Sequence, residues 1–273
     1  MSPEAKSILN EWSPPVAINL TVLLTTLFYL RGWTALRRSS PGLISAPRLA
    51  AFLAGMFFLW IAIGSPLTAF DDASLTVHMI QHILLVLVIP PLVLLGAPSL
   101  PLLHGLPPSF VRTTLGPSLR WPPVQSLGRF LTHPLVCWTL AAVALMAWHV
   151  PSAFELALHS DSWHEIEHAC FLFSSILFWW PVVQPFPSES RWPRWSTPLY
   201  LFFGMFPGSA LGAFLAFCDR VLYPSYTKAP SLLGITPLED QIFAGSLMWV
   251  FGLFVLLLPA VFITYRLLSP RLA

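Results

Sequence analysis

The chain has 273 residues, of which 56% are hydrophobic and only 10% charged, with a mean hydropathy of +0.71. Soluble domains carry about 25% charged residues, so a water-soluble globule is excluded. A formal net charge of +2 with no basic run excludes a nucleic-acid-binding surface. The 12 Trp and 21 Phe fit aromatic belts at membrane interfaces, and the 28 Pro must fall in loops, kinks or first turns. The composition is that of an integral membrane protein.

A hydrocarbon core about 30 Å thick takes roughly 20 apolar residues in helical form. Seven stretches qualify: 16–36, 49–67, 75–95, 131–150, 164–183, 197–217 and 237–264. The expected fold is therefore all-α, a bundle of seven transmembrane helices forming one integral membrane domain over 1–273. In chain order, the first span combines Val16–Leu30 with Gly32–Leu36. It reads as a span and not as a cleaved signal peptide, because Arg31, Arg37 and Arg38 follow the apolar run instead of preceding it. Pro90-Pro91 and Trp179-Trp180-Pro181 read as the ends of the third and fifth spans. The Pro- and Gly-rich connection Gly96–Phe130 reads as interfacial or re-entrant. The sixth span holds Gly204, Gly208 and Gly212, small residues that permit close packing or a kink.

Placing the 31–48, 96–130 and 184–196 connections and the C-terminus in the cytoplasm puts 11 of the 14 basic residues inside. By the positive-inside rule the N-terminus is then outside and the C-terminus inside. Eleven of the 12 acids fall on the outer side, Glu189 being the exception. Some of them suit helix starts: Ser162-Trp-His-Glu165 and Thr236-Pro-Leu-Glu239 both read as capping boxes.

The eight histidines carry the chemistry. His78 and His82, in His78-Met79-Ile80-Gln81-His82, open the third span. His164 and His168, in His164-Glu165-Ile166-Glu167-His168, open the fifth. Residues four apart share a helix face. Both spans run inward from the outer side, so His82 and His168 lie roughly 9–12 Å below their helix starts, at matched depth. His149 closes the fourth span at the same face, His159 follows in the next loop, and Asp240-Gln241 open the seventh. Only His104 and His133 fall on the opposite side. Ionisable groups inside spans are costly and usually functional. The expected metal ligands are His78, His82, His164 and His168, with His149, His159, Asp240 and Met79 as further candidates.

Imidazole suits zinc, copper, iron and nickel alike. Glu165, Glu167, Asp71, Asp72 and Asp240 either orient the imidazoles or bind the ion themselves. Met79 and Met248 offer soft sulfur but read first as core packing, and Cys137, Cys170 and Cys218 as small buried apolar residues. There is no Walker motif, dinucleotide fingerprint, nucleophile elbow or Cys-x-x-Cys-His haem attachment, and no catalytic residue is expected.

From about Leu49 to Leu258 a series of motifs runs in order. It comprises His78-Met-Ile-Gln-His82, Pro90-Pro91, Leu95-Gly96-Ala97-Pro98, His133-Pro134 and Trp148-His149-Val150-Pro151. There follow His164-Glu-Ile-Glu-His168, Phe178-Trp-Trp-Pro181, Leu222-Tyr-Pro-Ser-Tyr226, Asp240-Gln241, Ala244-Gly245 and Met248-Trp249. The series resembles the polytopic CtaG family of cytochrome c oxidase (caa-type) assembly factors. The resemblance implies a multi-pass protein of the bacterial inner (plasma) membrane that helps mature a haem–copper oxidase at the copper step. Copper is then the expected metal, and an oxidase subunit and a periplasmic copper donor are the expected partners besides the lipid bilayer. Two other readings of the histidines stay open. One is a haem-binding electron-transfer protein. The other is a membrane metallohydrolase in which three His hold zinc and Asp240 or Glu165 is the base.

Overall fold

Long apolar runs make the helices of this protein, and prolines in first turns mark where most of them begin. The computed structural model describes residues 3–188, 192–229 and 234–269, and among these every regular element is helical. In order they include α1 (Pro3–Glu11), α2 (Val16–Ser39), α3 (Ala46–Ile63), α4 (Leu75–Leu95) and the short α5 (Ser99–Gly105). After several short helical turns come α6 (Pro122–Leu131), α7 (Pro134–Trp148), α8 (Pro151–Leu158), α9 (Asp161–Val183), α10 (Ser196–Phe217) and α11 (Pro237–Leu268).

Six of these elements (α2, α3, α4, α9, α10 and α11) are long and apolar enough to cross a membrane. The pair α6–α7 makes seven if it is counted as one span. The chain is a multi-pass membrane protein. Large apolar side chains such as Phe203, Phe214, Phe254 and Val261 point outward, a surface that suits lipid and not water.

Three local expectations are corrected. The stretch expected as a span over 131–150 holds α7, whose 15 residues reach crossing length only together with α6, and the two are bent by 68°. His133 precedes Pro134, whose ring forces the preceding residue out of the helical region, and His133 sits at φ −70°, ψ 126°. The fifth helix starts at Asp161, three residues before the expected His164, with extended Ser160 as its cap. Ser162 therefore lies inside the first turn and forms no capping box, whereas the Thr236–Glu239 box is present in full. The third span runs over Leu75–Leu95 as expected, but Pro90-Pro91 lie inside it and not at its end, just after a π-helical turn at Leu84–Val88. Pro90 has no N–H for the Val86 carbonyl four residues back, and Trp179 Nε1 donates to that oxygen instead at 3.0 Å. Glu189 lies outside the described residues.

Within the 96–130 connection, α5 lies against α2 with the two backbones in direct contact. A Cβ on Gly32 would stand 1.7 Å from the Pro101 carbonyl oxygen, and one on Gly105 1.8 Å from that of Phe28. Neither backbone can retreat as a flexible side chain would. Gly32→Ala is expected to lower stability by about 1–3 kcal/mol or more, read as a fall in melting temperature in detergent. Gly42→Ala, with nothing within 4 Å of the added carbon, is the control and should leave it unchanged.

Several termini meet at one end of the bundle, called the head here. Trp12 Nε1 donates to Thr68 Oγ1 there, Leu75 N to Asp240, Leu222 N to Gln241, and Tyr223 OH to the His149 carbonyl. The starts of α4, α9 and α11 thus converge with the ends of α3, α7 and α10.

Candidate metal centre

The position of the first histidine pair is set by the way α4 begins. The carboxylate of Asp240, on α11, accepts from Ser74 Oγ (3.0 Å), Leu75 N (2.7 Å) and Thr76 N (3.2 Å). A helix start leaves its first amides without intrahelical acceptors, and here another helix supplies one. Both oxygens of Asp240, a candidate ligand from sequence, are taken up by this cap. Next to it, Gln241 Oε1 accepts from Leu222 N and its Nε2 donates to the Arg220 carbonyl, tying the loop after α10 to α11.

One turn into α4, His78 and His82 face α9. Their ring centroids are 4.4 Å apart, and His78 lies 5.1 Å from His164 and 6.2 Å from His168. His82 lies 5.5 Å from His168, and His164 lies 4.2 Å from His168. The four histidines expected from their spacing therefore form one cluster. Glu167 stands among them, with Oε2 3.7 Å from His78 Nε2 and Oε1 3.6 Å from His82 Nε2. Two combinations bring three ligand atoms within 4.8 Å of one another: His78, His82 and His168, and His78, His164 and Glu167.

The chemistry of this set fits a cation. Both ring nitrogens of His78 and of His82, both carboxylate oxygens of Glu167, and Nε2 of His149, His164 and His168 are buried without a hydrogen-bond partner. Buried polar groups are ordinarily hydrogen-bonded, and each one left alone costs about 1–3 kcal/mol. So many unpartnered lone-pair atoms converging on one place are what a metal ion would satisfy. His149 adds a further nitrogen. Its Nδ1 lies 2.8 Å from the Leu145 carbonyl, which can only accept, so Nδ1 carries the proton and Nε2 presents a lone pair. Its ring is 5.7 Å from that of His82.

The other candidates fall elsewhere. His159 has a 68% exposed side chain and pairs with Glu155 on its own helix. Met79 is buried in apolar packing with Leu75, Ile83, Phe154 and Tyr223, and Met248 belongs to the same cluster. The three cysteines are free. His104 bonds the Leu100 carbonyl, and His133 packs edge-on against Trp192. At the mouth, Asp71 Oδ2 accepts from Gln81 Nε2 at 3.2 Å and lies 4.0 Å from His164 Nε2. Burial, with the neighbouring Asp72 adding to it, pushes the Asp71 carboxyl up to about 7. Below His82 and Phe171 is an apolar cavity of about 100 Å³, lined also by Leu145, Phe178, Met205 and Met248.

Glu167 is the residue that sequence reading passed over, naming it only as one of five acids near the histidines and singling out Asp240 as the candidate ligand among them. The signal for it was present, since 164, 167 and 168 stand at i, i+3 and i+4 and share a face. Glu165 is turned away and exposed.

A cluster of histidines and one acid at the head of a helix bundle defines a multi-pass membrane protein with a site able to hold a metal ion. The chain belongs to the family described as cytochrome c oxidase caa3 assembly factor (Caa3_CtaG), which matches residues 27–269. It is also similar to uncharacterized proteins of Mycobacterium bovis and Mycobacterium tuberculosis, each 26% identical over 251 residues, and to one of Mycobacterium leprae, 24% identical. These alignments cover 90% of this chain but 38% of each relative, so the chain spans about two fifths of their length. No solved structure matches it.

Proposed function

We propose that this protein holds a copper ion at the head of the bundle, on the periplasmic side of the bacterial inner membrane, and passes it to a haem–copper oxidase subunit during assembly. The observation that carries this reading is the set of buried, unpartnered imidazole nitrogens on α4 and α9 around Glu167. Family membership supports the oxidase as recipient. The distribution of Lys and Arg supports the orientation, and a periplasmic copper donor completes the route. The ligands are His78, His82, His164 and His168, with Glu167 and His149 beside them. The acids at the head raise the local concentration of cations. Transfer by ligand exchange needs no catalytic residue, so the role is not enzymatic.

The imidazoles pack on one another, T-shaped between His78 and His82 and stacked between His78 and His164. That packing leaves little room for a macrocycle and favours a bare ion over haem. The test is metal content and visible spectrum of protein purified in mild detergent, beside a variant with alanine at His78, His82, His164 and His168. Stoichiometric copper that disappears in the variant is the expected result. A Soret band lost in the variant would replace copper with haem, and tightly held zinc would favour a hydrolase. Absence of any metal after loading would leave a scaffold.

A further inference from the structure

The cluster contains two overlapping sets of ligand atoms. The set His78–His164–Glu167 and the set His78–His82–His168 share His78; His82 and His168 stand one turn beyond His78 and His164, and Glu167 lies between the two levels, 3.7 Å from His78 and 3.6 Å from His82. On α9, His164 gives way to His168, and on α4 the ligands extend from His78 to His82. Four helical residues rise about 6 Å, so the two sets stack along the bundle as an upper and a lower rung.

The rungs differ in access and in chemistry. The upper one includes His164, whose side chain is 21% exposed and which lies beside Asp71 at the mouth. It combines two imidazoles with a carboxylate. The lower one offers three imidazoles, borders the Phe171 ring 4.5 Å from His82, and opens below onto the apolar cavity. The unpartnered Nε2 of His149 lies next to it. Carboxylate oxygen suits hard cations, whereas imidazole suits copper. The upper rung is thus the one open to an ion arriving from solvent, and the lower rung is the more enclosed and richer in nitrogen.

We infer that copper moves through the site along this two-rung ladder, from His78–His164–Glu167 to His78–His82–His168, with His78 a ligand in both. The inference rests on the copper-holding reading above. In the step, the His164 nitrogen and the Glu167 oxygen leave the ion and the His82 and His168 nitrogens replace them. Three protein ligands are present at the start and at the end, and the oxidation state of the ion does not change. Glu167 is 3.6 Å from His82 Nε2, so its carboxylate stays beside the ion after the exchange.

The test loads purified protein in detergent with Cu(II), following uptake by stopped flow, release by a chelator chase, and ligands by electron paramagnetic resonance. His164→Ala is expected to slow uptake at least about tenfold while the loaded ion keeps a three-nitrogen signature. His168→Ala is expected to slow uptake less than His164→Ala does, speed release at least about tenfold, and shift the signature to mixed nitrogen and oxygen. His164→Gln and His168→Gln, with helix content checked by circular dichroism, guard against loss of folding. If the two positions alter uptake and release alike, the site is undivided and the ladder is wrong. Wild-type protein that takes up no copper would overturn the copper reading, and the ladder with it.

Discussion

Replacing His78 by alanine is expected to weaken copper binding by more than about 100-fold, the largest loss from any single substitution in this chain. His78 alone belongs to both ligand sets. Its ring is fully buried, both nitrogens lack partners, and it is the side chain that faces His82, His164, His168 and Glu167 together. His149→Ala, which removes a neighbour of one set only, should cost about tenfold. His159→Ala should cost nothing, because that side chain is exposed and paired on its own helix. Competition titration against a copper chelator gives the ranking directly. In cells, His78→Ala should reduce oxidase activity while the amount of the variant in the membrane stays constant. Oxidase activity that survives the change would show that the cluster is not the working site.

Glu167→Leu is expected to move two quantities in opposite directions. Without metal the variant should melt higher than the wild type. The Glu167 carboxyl is buried with neither oxygen hydrogen-bonded, at a cost of about 1–3 kcal/mol that an apolar side chain of similar length avoids. With copper the order should reverse. An ion at 100 times its dissociation constant stabilises the folded state by about 2.7 kcal/mol, and the variant should lose much of that gain along with the carboxylate ligand. Melting curves with and without copper give both results. If Glu167→Leu instead lowers the melting temperature of the metal-free protein, the carboxylate serves to hold the imidazoles in place and is not a ligand kept ready for an ion.

Much of this site was legible in the sequence because helix geometry is local. Histidines four apart had to share a face, and two pairs equally far from their helix starts had to lie at one depth. What spacing could not tell was that the third and fifth spans touch. In a bilayer the outward face of a helix is as apolar as the inward one, so no hydrophobic stripe marks which neighbour a span meets. Only the polar residues mark it, and of the acids on α9 only the one at i+3 from His164 turns inward. The bend before Pro134 and the continuation of α4 past Pro90-Pro91 show the two fates of proline. A loop lets His133 extend, whereas in α4 an indole from α9 takes over the missing donor. The role of Asp240 was out of reach altogether, since its partners lie on another helix.

That long-distance cap also bears on how the protein is made. All eight histidines have been synthesised by residue 168, yet Asp240 follows Ser74 by 166 residues. At about 5–20 residues per second, on the order of ten to thirty seconds separates the start of α4 from the group that fixes it. Over the last 72 residues of that interval, from His168 to Asp240, the nascent chain carries every imidazole while the amides of Leu75 and Thr76 still lack their acceptor. The frame of the histidine cluster is completed by α11, the last of the described spans to leave the ribosome. A chain stalled before α11 would have the histidines without the Asp240 cap at the start of α4, and on the copper-holding reading it should bind the ion more weakly than the finished chain.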